Sequence, residues 1–97
     1  MKIEITGQVV RFIRKQPPEP RRTLRLAIRQ LEQERGDIAP LQEDLDGFYR
    51  LRVGRYRIIF EYQLSRGGER KIRSVYAGSR SVVYEIFSEQ LHKLMPR

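Results

Sequence analysis

The chain has no cysteine, one histidine, and only four lysines (Lys2, Lys15, Lys71 and Lys93) among 20 basic residues. Without cysteine there can be no disulfide framework, thiolate metal site or cysteine nucleophile. His92, the lone histidine, has no second histidine or cysteine with which to build a metal site, and it reads as a surface residue of the C-terminal helix. Long apolar runs are missing too. None approaches the roughly 20 residues that span a bilayer. The opening MKIEITGQVV has neither an apolar h-region nor a cleavage site, so no signal peptide is expected and the expected compartment is the cytoplasm.

The 97 residues are expected to form one domain, residues 1–97, with a single thin core. A hydrophobic content of 39% and a charged content of 33% fit neither a disordered chain nor a membrane protein. The basic excess gives a net charge of +8 and a pI of about 10.4. Most of it is arginine, whose planar fork matches phosphate oxygens where lysine offers a point charge. Such a balance points to a polyanionic partner. The charge is uneven. Glu32, Glu34, Asp37, Glu43, Asp44 and Asp46 stand against Arg35 alone, whereas residues 50–80 hold nine bases and two acids, Glu61 and Glu69. The basic field is therefore expected mainly in the second half.

Along the chain, Lys2 to Thr6 alternates as a first strand. Val9, Phe12 and Ile13 then share one helical face, with Arg11, Arg14 and Lys15 opposite. The run Pro17-Pro18-Glu19-Pro20 breaks that helix. A second helix is expected from Pro20 to Arg35, with Leu24, Ala27, Ile28 and Leu31 as its stripe. Asp37 to Gly47 reads as an acidic loop. Tyr49 to Val53 alternates strictly, Gly54-Arg55 suits a type II′ turn, and Tyr56 to Leu64 is the return strand. After Arg66-Gly67-Gly68-Glu69 come a fourth strand, Arg70 to Ala77, and a last helix, about Val82 to Leu94. The order β-α-α-β-β-β-α predicts an α+β fold, a small, mostly antiparallel twisted sheet with the helices packed on one face.

The hairpin FYRLRVGRYRIIF is the first place to look for chemistry. Alternation puts Arg50 and Arg52 on the face opposite Leu51 and Val53, and Arg57 can join them from across the turn. Three guanidiniums on rigid strands could hold a phosphate and stabilise charge as it is attacked. The bland alternative is a solvated basic face. Arg55, Lys71 and Arg73 extend the field as further RNA-binding candidates.

The segment LDGFYRLRVGRYRIIFEY resembles the central hairpin of RelE/ParE-superfamily toxins of type II toxin–antitoxin systems, and AGSRSVVYEIF resembles their closing motif, arginine followed four residues on by tyrosine. The resemblance implies a microbial-ribonuclease-like fold that cleaves mRNA, typically on the ribosome, by attack of a ribose 2′-OH on the adjacent phosphate. It implies catalytic roles for Arg50, Arg52, Arg57, Arg80 and Tyr84. The arginines would bind phosphate and stabilise the transition state, and Tyr84 would stack on a base or handle a proton. It implies mRNA, the ribosome and a cognate antitoxin as partners, and no metal or organic cofactor. Many relatives carry histidine directly before the closing arginine, where this chain has Ser79. Others carry glutamate and lysine before the hairpin, where it has Ala39 and Gln42. No conventional acid–base pair is visible, and arginine transfers protons poorly because its pKa exceeds about 12.

Glu61 could serve as a base, against the plainer expectation of an ion pair with Arg57 or Arg52. Tyr49, Tyr56, Phe60, Tyr62 and Tyr76 read as core and sheet packing. Two other functions stay open at this level: a ParE-like DNA gyrase inhibitor without catalysis, and a non-catalytic RNA-binding protein.

Overall fold

The structure, a computed structural model, describes residues 1–80 and 82–94. Lys2–Ile5 (β1) leads into Gly7–Arg14 (α1), which buries Val9 and Ile13 and leaves Arg11 and Arg14 in solvent. The next helix, Pro18–Leu31 (α2), starts two residues earlier than expected. Its prolines fit there because first-turn N–H groups have no intrahelical partner to lose. It also stops earlier, at Leu31, where Glu34 turns left-handed (φ 54°) and its N–H donates to the Leu31 carbonyl at 2.8 Å.

Four further strands follow, Asp37–Pro40 (β2), Tyr49–Val53 (β3), Tyr56–Leu64 (β4) and Arg70–Ser79 (β5), and then Val82–Leu94 (α3). The sheet order is β1-β5-β4-β3-β2, with β1 parallel to β5 and every other pairing antiparallel. The α+β class and the order of the expected elements match. Two details differ. β2 lies within the segment expected to be a loop. It pairs with β3 through Ile38↔Leu51, and Pro40, which cannot donate to a ladder, is tolerated because β2 is an edge strand.

The second difference is in the layers. Leu24, Ile28 and Leu31 of α2 and Val9 and Ile13 of α1 pack with Leu51, Val53, Ile58, Phe60 and Ile72 on one face. Val83 and Phe87 of α3 pack with Leu45 and Ile59 on the other, joined by Phe48, Val75 and Tyr76. The expectation of helices on one face alone thus fails for α3, because the sheet carries an apolar patch on both sides.

Val53 pairs with Tyr56, so Gly54-Arg55 is the expected two-residue turn, with Gly54 at φ 59°. Between Ile59↔Tyr76 and Phe60↔Ser74 the β4–β5 register slips, leaving Val75 unpaired. This bulge lets Val75 and Tyr76 both reach the α3 side, sends Ala77 into the α1–α2 core, and sets Gly78 opposite Arg57.

β1 ends opposite Ser74, so among the described residues the remainder of β5 has no strand on that side. Side chains take its place. The Thr6 hydroxyl donates to the Val75 carbonyl at 3.1 Å, and the Gln8 carboxamide both donates to the Ala77 carbonyl (2.9 Å) and accepts from its N–H (2.7 Å). Gln8→Leu strands both Ala77 groups and is expected to cost about 1–3 kcal/mol in urea denaturation. Ser74→Ala should do the opposite. The Ser74 hydroxyl is fully buried without a hydrogen-bond partner among the described residues, so its removal should stabilise the chain by roughly 1 kcal/mol in the same assay.

Candidate functional site

Burial of Leu51 (1% exposed) and Val53 (9%) against the helices points Arg50 and Arg52 the other way, as the alternation requires. Arg57 stands directly across from Arg52 in the ladder, and Gly78 stands across from Arg57. The β5–α3 junction then folds onto the hairpin tip, where the Arg80 N–H donates to the Arg55 carbonyl at 2.9 Å. Arg80 adopts a left-handed backbone (φ 42°), a conformation that non-glycine residues hold only when their surroundings impose it. Val83 lies over Gly78, close enough that a Cβ there would sit 3.1 Å from its Cγ2. Tyr84, the next residue, packs half-buried at the edge of the α3 cluster. Ser81, inside the closing motif, lies outside the described residues.

The fold thus gathers Arg50, Arg52, Arg55, Arg57 and Arg80 at one end of the sheet, with Tyr84 on the adjoining helix turn. Two of these guanidiniums share one carboxylate. Asp37 of β2, opposite Arg52 in the ladder, accepts from Arg50 Nη1 at 3.3 Å and forms an ion pair with Arg52 Nε at 2.6 Å. Asp37 was not foreseen as part of the site, since local pattern placed it in a loop. Arg57 is held differently. Its Nη1 donates to the Gly54 and Tyr56 carbonyls at 2.8 and 2.9 Å, and among the described residues no carboxylate pairs with it. Its remaining N–H groups are left for a ligand on a fixed fork. Among the described residues, these five arginines face one paired carboxylate, a charge balance that suits an anion.

Lys71 and Arg73 lie elsewhere. They sit on the same face of the sheet, but Arg73 is five residues along β5 from Gly78, roughly 16 Å at strand rise. Both bond to Glu4 at 3.0 Å, and Arg73 also meets Glu61 at 3.8 Å. Hydrogen bonds from Lys71 and then Arg73 hold the Glu4 carboxyl below its ordinary value. The pairing expected of Glu61 is present with a different partner, Arg73, and its second contact is the Gln63 amide at 3.2 Å.

The aromatics behave as packing groups. Tyr49, Phe60 and Tyr62 form one cluster with centroids 5.0–5.6 Å apart, and Tyr76 meets Phe87 at 5.8 Å. Burial, and then the Glu34 carboxylate beside it, pushes the Tyr62 hydroxyl up to about 12, so it stays protonated. His92 is exposed, 3.9 Å from Asp44.

Desolvation would raise the Asp37 carboxyl, but attraction to Arg52 and the Arg50 hydrogen bond outweigh it and hold the carboxyl below its ordinary value. A carboxyl depressed in the folded state stabilises that state above its unfolded pKa, and the contribution is lost as pH falls through the folded one. Acid unfolding below about pH 4, followed by circular dichroism, should therefore be shallower in Asp37→Asn than in the parent. At neutral pH the same substitution frees two guanidiniums and should tighten binding of a short single-stranded RNA several-fold in a fluorescence titration.

No family model matches the chain, and no curated protein matches it. Solved structures do. A YoeB/ParE toxin from Agrobacterium tumefaciens superposes with a TM-score of 0.64 at 19% identity, over 82% of this chain and 99% of that one. A chain of the toxin–antitoxin complex RelBE2 from Mycobacterium tuberculosis gives 0.60 at 22% identity, over 81% and 96%. A chain of the RelB–RelE antitoxin–toxin complex from Methanococcus jannaschii gives 0.59 at 22%, over 87% and 98%. At these TM-scores, over at least 81% of this chain, the chain has the fold of the RelE/ParE toxins.

Proposed function

We propose that this chain is the toxin of a toxin–antitoxin pair and a cytoplasmic endoribonuclease that cuts mRNA, most effectively when the ribosome presents it. The observation that carries the reading is the cluster at the hairpin and the β5–α3 junction, five arginines among which Asp37 is the one paired carboxylate of the described residues. Neighbours of the same fold include toxins solved in complex with antitoxins. An antitoxin with an acidic segment would suit the arginine face here.

In the proposed reaction the ribose 2′-oxygen attacks the adjacent phosphorus and loses its proton. The bond from phosphorus to the 5′-oxygen breaks, and that oxygen takes up a proton. A cyclic phosphate and a 5′-hydroxyl result. Arg57, held by two carbonyls, and Arg80 would take the phosphoryl oxygens, where preorganised donors act on the charge that builds in the transition state. Arg50 and Arg52 hold the neighbouring backbone, with Asp37 setting their direction. Tyr84 is the proton-handling or base-stacking group, because guanidiniums cannot exchange protons near neutrality. The gyrase-inhibitor alternative would not require such a converging set of phosphate ligands.

Inducible expression with transcript 5′-end mapping tests this. The expected result is cleavage at fixed codon positions. Arg57→Ala should reduce the single-turnover rate on the order of 10²–10³-fold, and Tyr84→Phe on the order of 10²-fold. Growth arrest with intact transcripts and accumulated double-strand breaks would assign the chain to gyrase instead.

A further inference from the structure

The chain's charge has a second centre that the hairpin does not explain. Residues 11–29 hold seven bases (Arg11, Arg14, Lys15, Arg21, Arg22, Arg25 and Arg29) and one acid, Glu19, a net of +6. That nearly equals the net +7 of residues 50–80, with nine bases and two acids, where the sequence suggested the field would concentrate. The structure widens the contrast. In the second half, Asp37, Glu4 and Glu61 sit on Arg50, Arg52, Lys71 and Arg73. Among the described residues, none of the seven bases of the α1–α2 region pairs with a carboxylate within 4.0 Å. Their charge is left for something outside the chain.

These arginines are arrayed rather than scattered. Leu24, Ile28 and Leu31 bury one face of α2. Helical spacing then puts Arg22, Arg25 and Arg29 in a row along an adjoining face, at rises of about 4.5 and 6 Å. All three are exposed, and with Arg21 they wall a shallow depression of about 470 Å³. Arg14 of α1 faces Arg25 and Arg29 across the neighbouring groove, of about 350 Å³. This surface lies on the side of the sheet away from the hairpin arginines.

We propose that the arginine row of α2, with Arg14, is a second nucleic-acid site that binds the backbone of duplex RNA. Regularly spaced guanidiniums on a rigid helix complement a regular line of phosphates. Among the described residues no aromatic side chain is one of the large exposed apolar groups, so this surface offers no fully exposed ring on which unpaired bases could stack, which is how single strands are gripped. Duplex RNA is instead recognised by shape and backbone. The site is independent of cleavage: it needs neither Arg57 nor Tyr84. A substrate strand on one face and a helical stem on the other would favour cutting beside folded RNA.

The test is a salt titration with a fluorescein-labelled 16-base-pair RNA duplex carrying 2′-O-methyl sugars, which keep the phosphates and remove the nucleophile. Each lost phosphate contact should lower the slope of log affinity against log salt by about 0.9. Arg22→Gln/Arg25→Gln/Arg29→Gln is expected to cut the slope by about 2–3 and weaken binding on the order of 10–100-fold at 50 mM salt. Arg66→Gln, an exposed change in the β4–β5 turn, should leave both nearly unchanged. Should the triple variant fold poorly, Arg25→Gln alone should still lower the slope by about 0.9. An unchanged slope in a folded triple variant overturns the proposal. So does a variant that keeps duplex affinity and loses binding to a poly-glutamate peptide, since the row would then be a docking surface for an acidic protein.

Discussion

Leu51, Val53, Ile58 and Phe60 pack against α1 and α2 with almost no exposure, and successive side chains of a strand point to opposite faces. The same burial that builds the core therefore fixes Arg50, Arg52 and Arg57 on the far side of the sheet. Neither feature can shift alone. A one-residue slip in the hairpin would bury three guanidiniums and expose four core side chains, which is prohibitive for both. Gly54 secures the register by allowing a turn of two residues.

Electrostatics then sort the cations that this pleat leaves in solvent. Asp37 reaches Arg50 and Arg52 because β2 lies beside β3, and Glu4 reaches Lys71 and Arg73 because β1 lies beside β5. Both carboxylates come from edge strands remote in sequence from their partners. They quiet two clusters that look equivalent to the others in a linear tally. Among the described residues, Arg55, Arg57 and Arg80 on one side of the molecule and the α1–α2 arginines on the other have no carboxylate within 4.0 Å.

Much of this was legible in the residues. The β3–β4 hairpin declares itself by strict alternation and a glycine turn, and α3 by apolar spacing, both local signals. β2 did not, because Asp37-Ile38-Ala39-Pro40 has no strand character of its own and becomes a strand only through the ladder that β3 offers. The side that α3 covers was hidden for a similar reason. Ile59 read as one of several β-branched residues, and only the fold sets it, with Val75 and Tyr76, on a second apolar surface. Lys71 and Arg73 looked like part of one basic field because sequence distance conceals that they sit far along β5 from the hairpin tip.

The unpaired Val75 acts as a phase shifter within β5. Upstream of it the strand keeps one parity, with Ile72 facing the helical hairpin; downstream the parity inverts, and Ala77 faces that same layer while Gly78 looks the other way. A strand without the extra residue would exchange those two positions, putting a methyl where the α3 backbone now rests and emptying a place in the first core. One surplus residue thus lets a single strand serve two cores in turn and hand the chain to α3 at the height of Arg57.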